Sequence, residues 1–193
     1  MTTKDRIAAE ALSQFNQKGI NQVGVREIAR SLDISPGNMS YHFPKKEDLL
    51  LYILKSYGQE NERLRANYMS EEPSIEGFTS LFKNLFENQY EHRGIFAELV
   101  EVNRVLEAQT DFNYLEGQNA RIKELNGMIK ELQRVDVLKE GNEVKSHLVS
   151  FLTLFGRFWI AEAFLSDRID NKHEIIKHYL DILRNQLKPY VTD

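Results

Sequence analysis

Apolar residues recur at helical spacing along almost the whole chain, and no run alternates with period two. This restricts the fold more than any other feature. Apolar faces repeating every three or four residues are buried by packing helix on helix, and no strand material is left for a sheet. Ile7, Ala8, Ala11, Leu12 and Phe15 predict a helix over 3–18 that stops at Lys18-Gly19. Val25, Ile28, Ala29 and Leu32 predict a short second helix over 25–32. A third is expected over 36–42, and a fourth from Lys46 to about Met69. After "SEEPS" the helices lengthen, to 74–90, 94–108, 111–134, 142–165 and 172–188. The expectation is an all-α chain of about nine helices.

Hydrophobic residues make up 41% and charged residues 28%, enough for packed cores and too apolar for disorder. There is no cysteine, which excludes disulfides, thiolate catalysis and cysteine-ligated zinc, and fits a reducing compartment. "MTTKDRIAAEALSQF" carries charge within its apolar pattern and does not read as a signal peptide. The most apolar run, residues 149–165, contains Arg157 and Glu162. It falls short of the about 20 mostly uncharged residues of a spanning helix, so it is read as a buried helix with no membrane partner. The net charge of −4 is uneven: residues 1–50 carry +1 and the remainder −5. A small nucleic-acid-binding head on an acidic body has this asymmetry, as do many ordinary proteins.

"ISPGNMSYHF", residues 34–43, sets proline beside glycine between two helical patterns. Ser35 suits an N-cap and Pro36 the first helical position, where its missing N–H has no partner to lose. The proline therefore starts a helix, and Pro44 stops it. Met39 and Phe43, four apart, face inward, and Gly37, Ser40 and Tyr41 lie opposite with Asn38 on the flank. After the 25–32 helix and the turn "LDIS", this is a helix-turn-helix whose second helix can enter a major groove. Small residues permit close approach. Tyr41 offers a hydroxyl and a ring, and Asn38 suits an adenine edge. Lys45, Lys46 and the free N–H groups at the start of the next helix form a candidate phosphate site.

Residues 5–55 resemble the N-terminal DNA-binding region of the tetracycline-repressor (TetR) family of bacterial transcription regulators, most specifically in "FNQKGI", "VREIA" and "GNMSYHFPKKEDLL". The resemblance implies an N-terminal three-helix helix-turn-helix domain, here 1–48. A larger helical effector-binding and dimerisation domain follows, here 49–193. It implies a cytoplasmic homodimer that binds a double-stranded DNA operator and a small-molecule effector, most simply as a repressor, with no cofactor and no enzymatic activity. Carried over by position, the DNA contacts are Ser35, Pro36, Gly37, Asn38, Ser40, Tyr41, His42 and Lys46, with Lys45 beside them. Two positions depart from the family. Val23-Gly24-Val25 lacks the usual hydroxyl at the second helix, and Asp33 stands where the turn usually has glycine. Aspartate tolerates the left-handed conformation better than most residues, so the turn is expected to survive.

Other constellations read as structural. "HEIIKH" places His173 and His178 five apart, about 140° around a helix, so they do not share one metal; no metal site is expected. Glu98 and Glu101 read as a solvated flank, with binding of a cationic effector as the lesser alternative. Among many core aromatics, Phe82, Phe86, Phe112, Phe155 and Trp159 are candidates for an effector pocket wall. The helices 142–165 and 172–188 are the candidate dimer interface, because the first is apolar around much of its circumference. The alternatives are a DNA-organising helix-turn-helix dimer without an effector and, less well supported, an all-α enzyme.

Overall fold

A computed structural model describes residues 2–166 and 171–192. Among them are ten α-helices: α1 (Thr3–Lys18), α2 (Val25–Ser31), α3 (Pro36–His42), α4 (Lys46–Met69), α5 (Ile75–Glu91), α6 (Arg93–Ala97), α7 (Leu99–Gln109), α8 (Tyr114–Arg134), α9 (Asn142–Leu165) and α10 (Lys172–Leu187). Two 3-10 turns, Ile20–Gln22 and Lys188–Tyr190, complete the set. The only bridge among the described residues is an isolated antiparallel one, Leu138 with Val191.

Local chemistry sets the ends of these helices. Thr2 and Asp5 form a capping box at α1, satisfying two N–H groups that no helical carbonyl can reach. Gly19 ends the helix at φ 82°, a conformation that favours glycine. Asn113 caps α8, and Asn171 caps α10 through the N–H groups of His173 and Glu174. The expected helix 94–108 is instead two. Glu98 leaves the helical conformation at φ −110°, ψ 25°, separating α6 from α7. The apolar stripe of Ile95, Leu99, Val102 and Leu106 runs through this break, which is why periodicity alone hides it.

Packing divides the chain into two units. The first contains the chain to Gln59 together with Glu91–Phe112, and the second contains Glu60–Tyr90 with the residues from Asn113 onward. Helices α6 and α7 pack with the N-terminal helices in the first unit. The core of the first unit brings Ile7, Ala11 and Phe15 of α1 together with Ile28, Met39, Phe43, Leu49, Ile53, Ile95 and Leu106.

Backbone proximity joins α1 to α6. A Cβ on Gly94 would lie 2.2 Å from the Phe15 carbonyl oxygen, so only glycine permits this approach. Asn16 seals the contact, donating to the Glu91 carbonyl at 2.7 Å and accepting from the Gly94 N–H at 2.8 Å.

In the second unit a ladder of rings runs Tyr68, Phe78, Phe82, Phe86, Trp159, Tyr179, with successive centroids 5.0–6.0 Å apart. The buried Trp159 indole donates to Gln89 at 2.8 Å. Helix α9 buries Leu148, Leu152, Trp159, Ile160 and Ala163 and leaves Leu154 (62%) and Leu165 (89%) exposed, with Phe158 beside them. By length and composition α9 is also apolar enough to cross a membrane, the one such helix among the described residues.

Gly94→Ala should lower stability by about 1–3 kcal/mol or more, because the clash is with backbone that cannot rotate away. Thermal denaturation tests this, and an unchanged midpoint would refute the close approach.

Candidate nucleic-acid interface

Helices α2 and α3 are joined by Leu32 to Ser35. Asp33 sits there at φ 52°, so the turn adopts its left-handed residue without glycine, as expected. The Asp33 N–H reaches the Arg30 carbonyl at 3.2 Å and the Ile34 N–H reaches that of Ala29 at 3.0 Å. Gly24 caps α2 by backbone geometry alone. The Gln14 side chain holds Ser31 of α2 at 3.0 Å, and Lys18 pairs with Glu27, so α2 is fixed to α1 at both ends.

Helix α3 has two unlike faces. Ser35 accepts from the Asn38 N–H at 3.1 Å, and Pro36 occupies the first turn. Met39 and Phe43 are almost wholly buried. Ser35, Pro36, Gly37, Asn38 and Ser40 are exposed, and Tyr41 is 83% exposed. A Cβ on Gly37 would meet only the Ser35 hydroxyl, at 3.9 Å, so nothing within the chain requires glycine there. Half-buried His42 stands edge-on to Tyr41, centroids 5.1 Å apart. It also borders a cleft of about 400 Å³ lined by Lys4, Phe43, Pro44, Asp48, Leu51, Tyr52 and Lys55. In that cleft the Lys4 ammonium lies 5.2 Å from the centre of the Phe43 ring and 4.9 Å from that of Tyr52.

The start of α4 differs from expectation. The Lys45 N–H is taken by the Asp48 carboxylate at 3.0 Å, although the Lys45 side chain remains exposed. Lys46 turns inward. Its ammonium donates to the Ile20 carbonyl and lies 5.6 Å from the centre of the Phe15 ring. Burial pushes its pKa down, against the pull of the Glu47 and Glu98 carboxylates. Lys46 therefore acts first as a strut for the turn at Ile20–Gln22. Glu98 is likewise no solvated flank: it accepts from the Ile20 N–H at 3.1 Å and the Asn21 amide at 2.6 Å. Glu101 does stay outside, paired with Arg104 at 2.8 Å.

The five aromatics expected to wall a pocket are not one group. Phe82, Phe86, Phe155 and Trp159 are linked through Phe86, whose ring lies 6.0, 5.9 and 5.0 Å from the other three. Phe112 packs instead against the core of the first unit, because it closes the segment that α6 and α7 bring there. Sequence reasoning missed Lys4, whose place on Phe43 depends on a contact that local spacing does not reveal.

The fold and this two-faced α3 define a helix-turn-helix protein with an all-helical body. Residues 7–53 match the family described as bacterial regulatory proteins, tetR family. A probable HTH-type transcriptional regulator of Bacillus subtilis, YttP, is 32% identical over 97 residues, covering 48% of this chain and 46% of that protein. The HTH-type transcriptional regulator QacR of Staphylococcus aureus is 41% identical over 54 residues, 28% of this chain and 29% of that one. The match thus spans less than half the length of these relatives. A TetR-family transcriptional regulator of Marinobacter aquaeolei shares the fold, with TM-score 0.80 at 24% identity, over 100% of this chain and 92% of that one.

Lys46→Ala should cost about 1.5–3 kcal/mol, the range for a hydrogen bond to a charged group, while Tyr41→Ala should stay within about 0.5 kcal/mol; urea denaturation compares them. A second expectation concerns acid. The Tyr52 hydroxyl, ahead of the Thr2 contacts, holds the Asp5 carboxyl down at about 2. A depressed carboxyl stabilises above its unfolded value, about 3.9, and this is lost as pH falls through about 2. The stability difference between the native protein and Tyr52→Phe should therefore narrow between about pH 4 and 2. A difference constant over that window would remove Tyr52 as the cause.

Proposed function

We propose that this chain is a sequence-specific DNA-binding transcriptional regulator, a repressor released from its operator by a small-molecule effector. The observation that carries the reading is the outward face of α3. Gly37, Asn38, Ser40 and Tyr41 are presented to solvent while Met39 and Phe43 anchor the same helix in the core. A helix fixed from behind, with small polar residues and one ring in front, suits entry into a major groove. Ser35, Pro36, His42 and Lys45 flank that face and serve as backbone contacts. Lys46 contributes less as a direct phosphate ligand than as the support of the turn beside them. In this reading residues 1–48 bind DNA, and 49–193 bind effector and dimerise.

The reading includes a homodimer formed through α9 and α10. Phe151, Leu154, Phe158, Ala161 and Leu165 follow one another at alternating steps of three and four on α9, a seam that suits a second helix pair. Ile182 of α10 is exposed as well. A two-fold pairing here covers these side chains with copies of themselves, which also accounts for the apolar character of α9 without a membrane. The dimer would set its two α3 helices in successive major grooves, about 34–36 Å apart. Phe82, Phe86, Phe155 and Trp159 are the candidates for the effector wall. Helix α4 belongs to both units, its residues to Gln59 in the first and from Glu60 in the second. An effector with different affinities for two positions of α4 would shift the DNA-binding equilibrium.

Fluorescence anisotropy on DNA from upstream of the protein's own gene, beside a scrambled duplex and across a salt series, tests the reading. Preference of about a thousandfold or more is expected. Equal weak binding that fades steeply with salt would reduce the interaction to electrostatics. Tyr41→Ala should lower specific binding by about 1–3 kcal/mol. Gly37→Ala should keep thermal stability and still weaken specific binding; unaltered affinity in both variants would remove α3 as the reading helix.

A further inference from the structure

The cleft of about 400 Å³ beside α3 is bounded by two cations, Lys4 of α1 and Lys55 of α4. Neither has a carboxylate partner among the described residues, whereas Lys18 and Arg104 of the same unit do. Lys55 is exposed and Lys4 half-buried. The Lys4 ammonium rests 4.9 Å from the centre of the Tyr52 ring and 5.2 Å from that of Phe43. A ring attracts a cation through its quadrupole and neutralises none of its charge. Lys4 is thus fixed in place with its charge intact, unlike Lys18. Asp48 of the lining, and Asp5, which holds Tyr52, are taken by other donors. Asp48 accepts from the Lys45 N–H at 3.0 Å, and Asp5 from the Tyr52 hydroxyl and the Thr2 N–H, each at 2.7 Å.

The position of the cleft decides what it meets. His42 borders it and also stands edge-on to Tyr41, which belongs to the outward face of α3. The cleft therefore continues that face past the C-terminal end of the helix. A major groove about 12 Å wide is walled by a sugar–phosphate strand on either side. A duplex that offers its groove to α3 must carry one of these strands past the end of the helix. Between the two lysines the lining is largely carbon, from Pro44, Leu51 and the rings of Phe43 and Tyr52. That combination suits a deoxyribose with a phosphate at each side.

We propose that this cleft receives the sugar–phosphate backbone of DNA at the flank of the groove that α3 enters, with Lys4 and Lys55 as its phosphate ligands. This rests on the DNA-binding reading above. It adds two residues that lie outside the helix-turn-helix, one in the first turn of α1 and one in the third turn of α4. Phosphates are alike in every sequence. The two lysines therefore contribute affinity and fix the register of the protein on the duplex, and they add no base preference. Reading of bases remains with the outer side chains of α3.

Anisotropy across a salt series, on the upstream duplex and on its scrambled partner, tests this with Lys4→Gln and Lys55→Gln in the full-length protein. Each substitution should weaken binding to both duplexes by the same factor and reduce the slope of log affinity against log salt by about 1. Lys4→Arg should restore the native slope, since it keeps a cation over the same rings. Lys123→Gln, at an exposed position of the second unit, should leave the slope unchanged. The proposal is overturned if either cleft variant keeps the native slope, if Lys123→Gln reduces it equally, or if the loss is confined to one duplex. Lys55 is exposed, so its variant should melt with the native protein. If Lys4→Gln melts early, Lys55→Gln alone decides. The same data separate the two readings. Native slopes beside an intact preference for the upstream duplex sink only this inference. Reduced slopes with equal binding to both duplexes sink only the sequence-specific regulator, and no binding to either duplex at low salt sinks both.

Discussion

The contact of Gly94 with the Phe15 carbonyl sets the geometry of the first unit. Two helices meet there at a distance no side chain allows. With α6 fixed, Ile95, Val102 and Leu106 enter the core that also holds Met39 and Phe43. The same approach brings Glu98 to the Ile20 N–H and Asn21, while Lys46 takes the Ile20 carbonyl. The short turn at Ile20–Gln22 is thus held from two sides by opposite charges, one from α4 and one from the α6–α7 junction. The orientation of α3 depends on this arrangement through its two buried anchors, although α3 itself has only seven residues. A helix that short has little intrinsic stability in water and takes its conformation from what it packs against.

Charge in this unit is spent largely on internal support. Lys18 and Glu27 tie α1 to α2, and Asp48 occupies the N–H of Lys45. Lys4 lies on the rings of Phe43 and Tyr52, and Tyr52 in turn donates to Asp5 at 2.7 Å. A count of basic residues in the N-terminal fifty therefore overstates the positive charge that faces outward. The mild charge asymmetry of the sequence is better understood as the electrostatic scaffolding of a small domain.

What was legible in the sequence was local. Ser35 and Pro36 announce α3, Gly19 announces the end of α1, and the spacing of Met39 and Phe43 separates its inner face from its outer one. Asp33 could be foreseen in a left-handed turn because the constraint lies in the residue itself. What could not be read depends on partners far along the chain. Glu98 is 78 residues from Ile20, and its role there also breaks the helix that the apolar stripe describes as continuous. Lys46 looked like a surface cation because a helix start usually exposes one. Phe112 looked like its aromatic neighbours because composition does not say which core a ring joins.

The outer face of α3 adds almost nothing to the cohesion of the fold. Gly37, Asn38, Ser40 and Tyr41 are exposed, and a Cβ at Gly37 would meet only the Ser35 hydroxyl, in ordinary van der Waals contact. On the proposed reading, stability and recognition therefore fall on opposite sides of one two-turn helix. Mutations can accumulate on the outer side without passing through unfolded or misfolded intermediates, so a duplicated copy of such a gene can acquire a new binding preference while its product remains fully folded at every step.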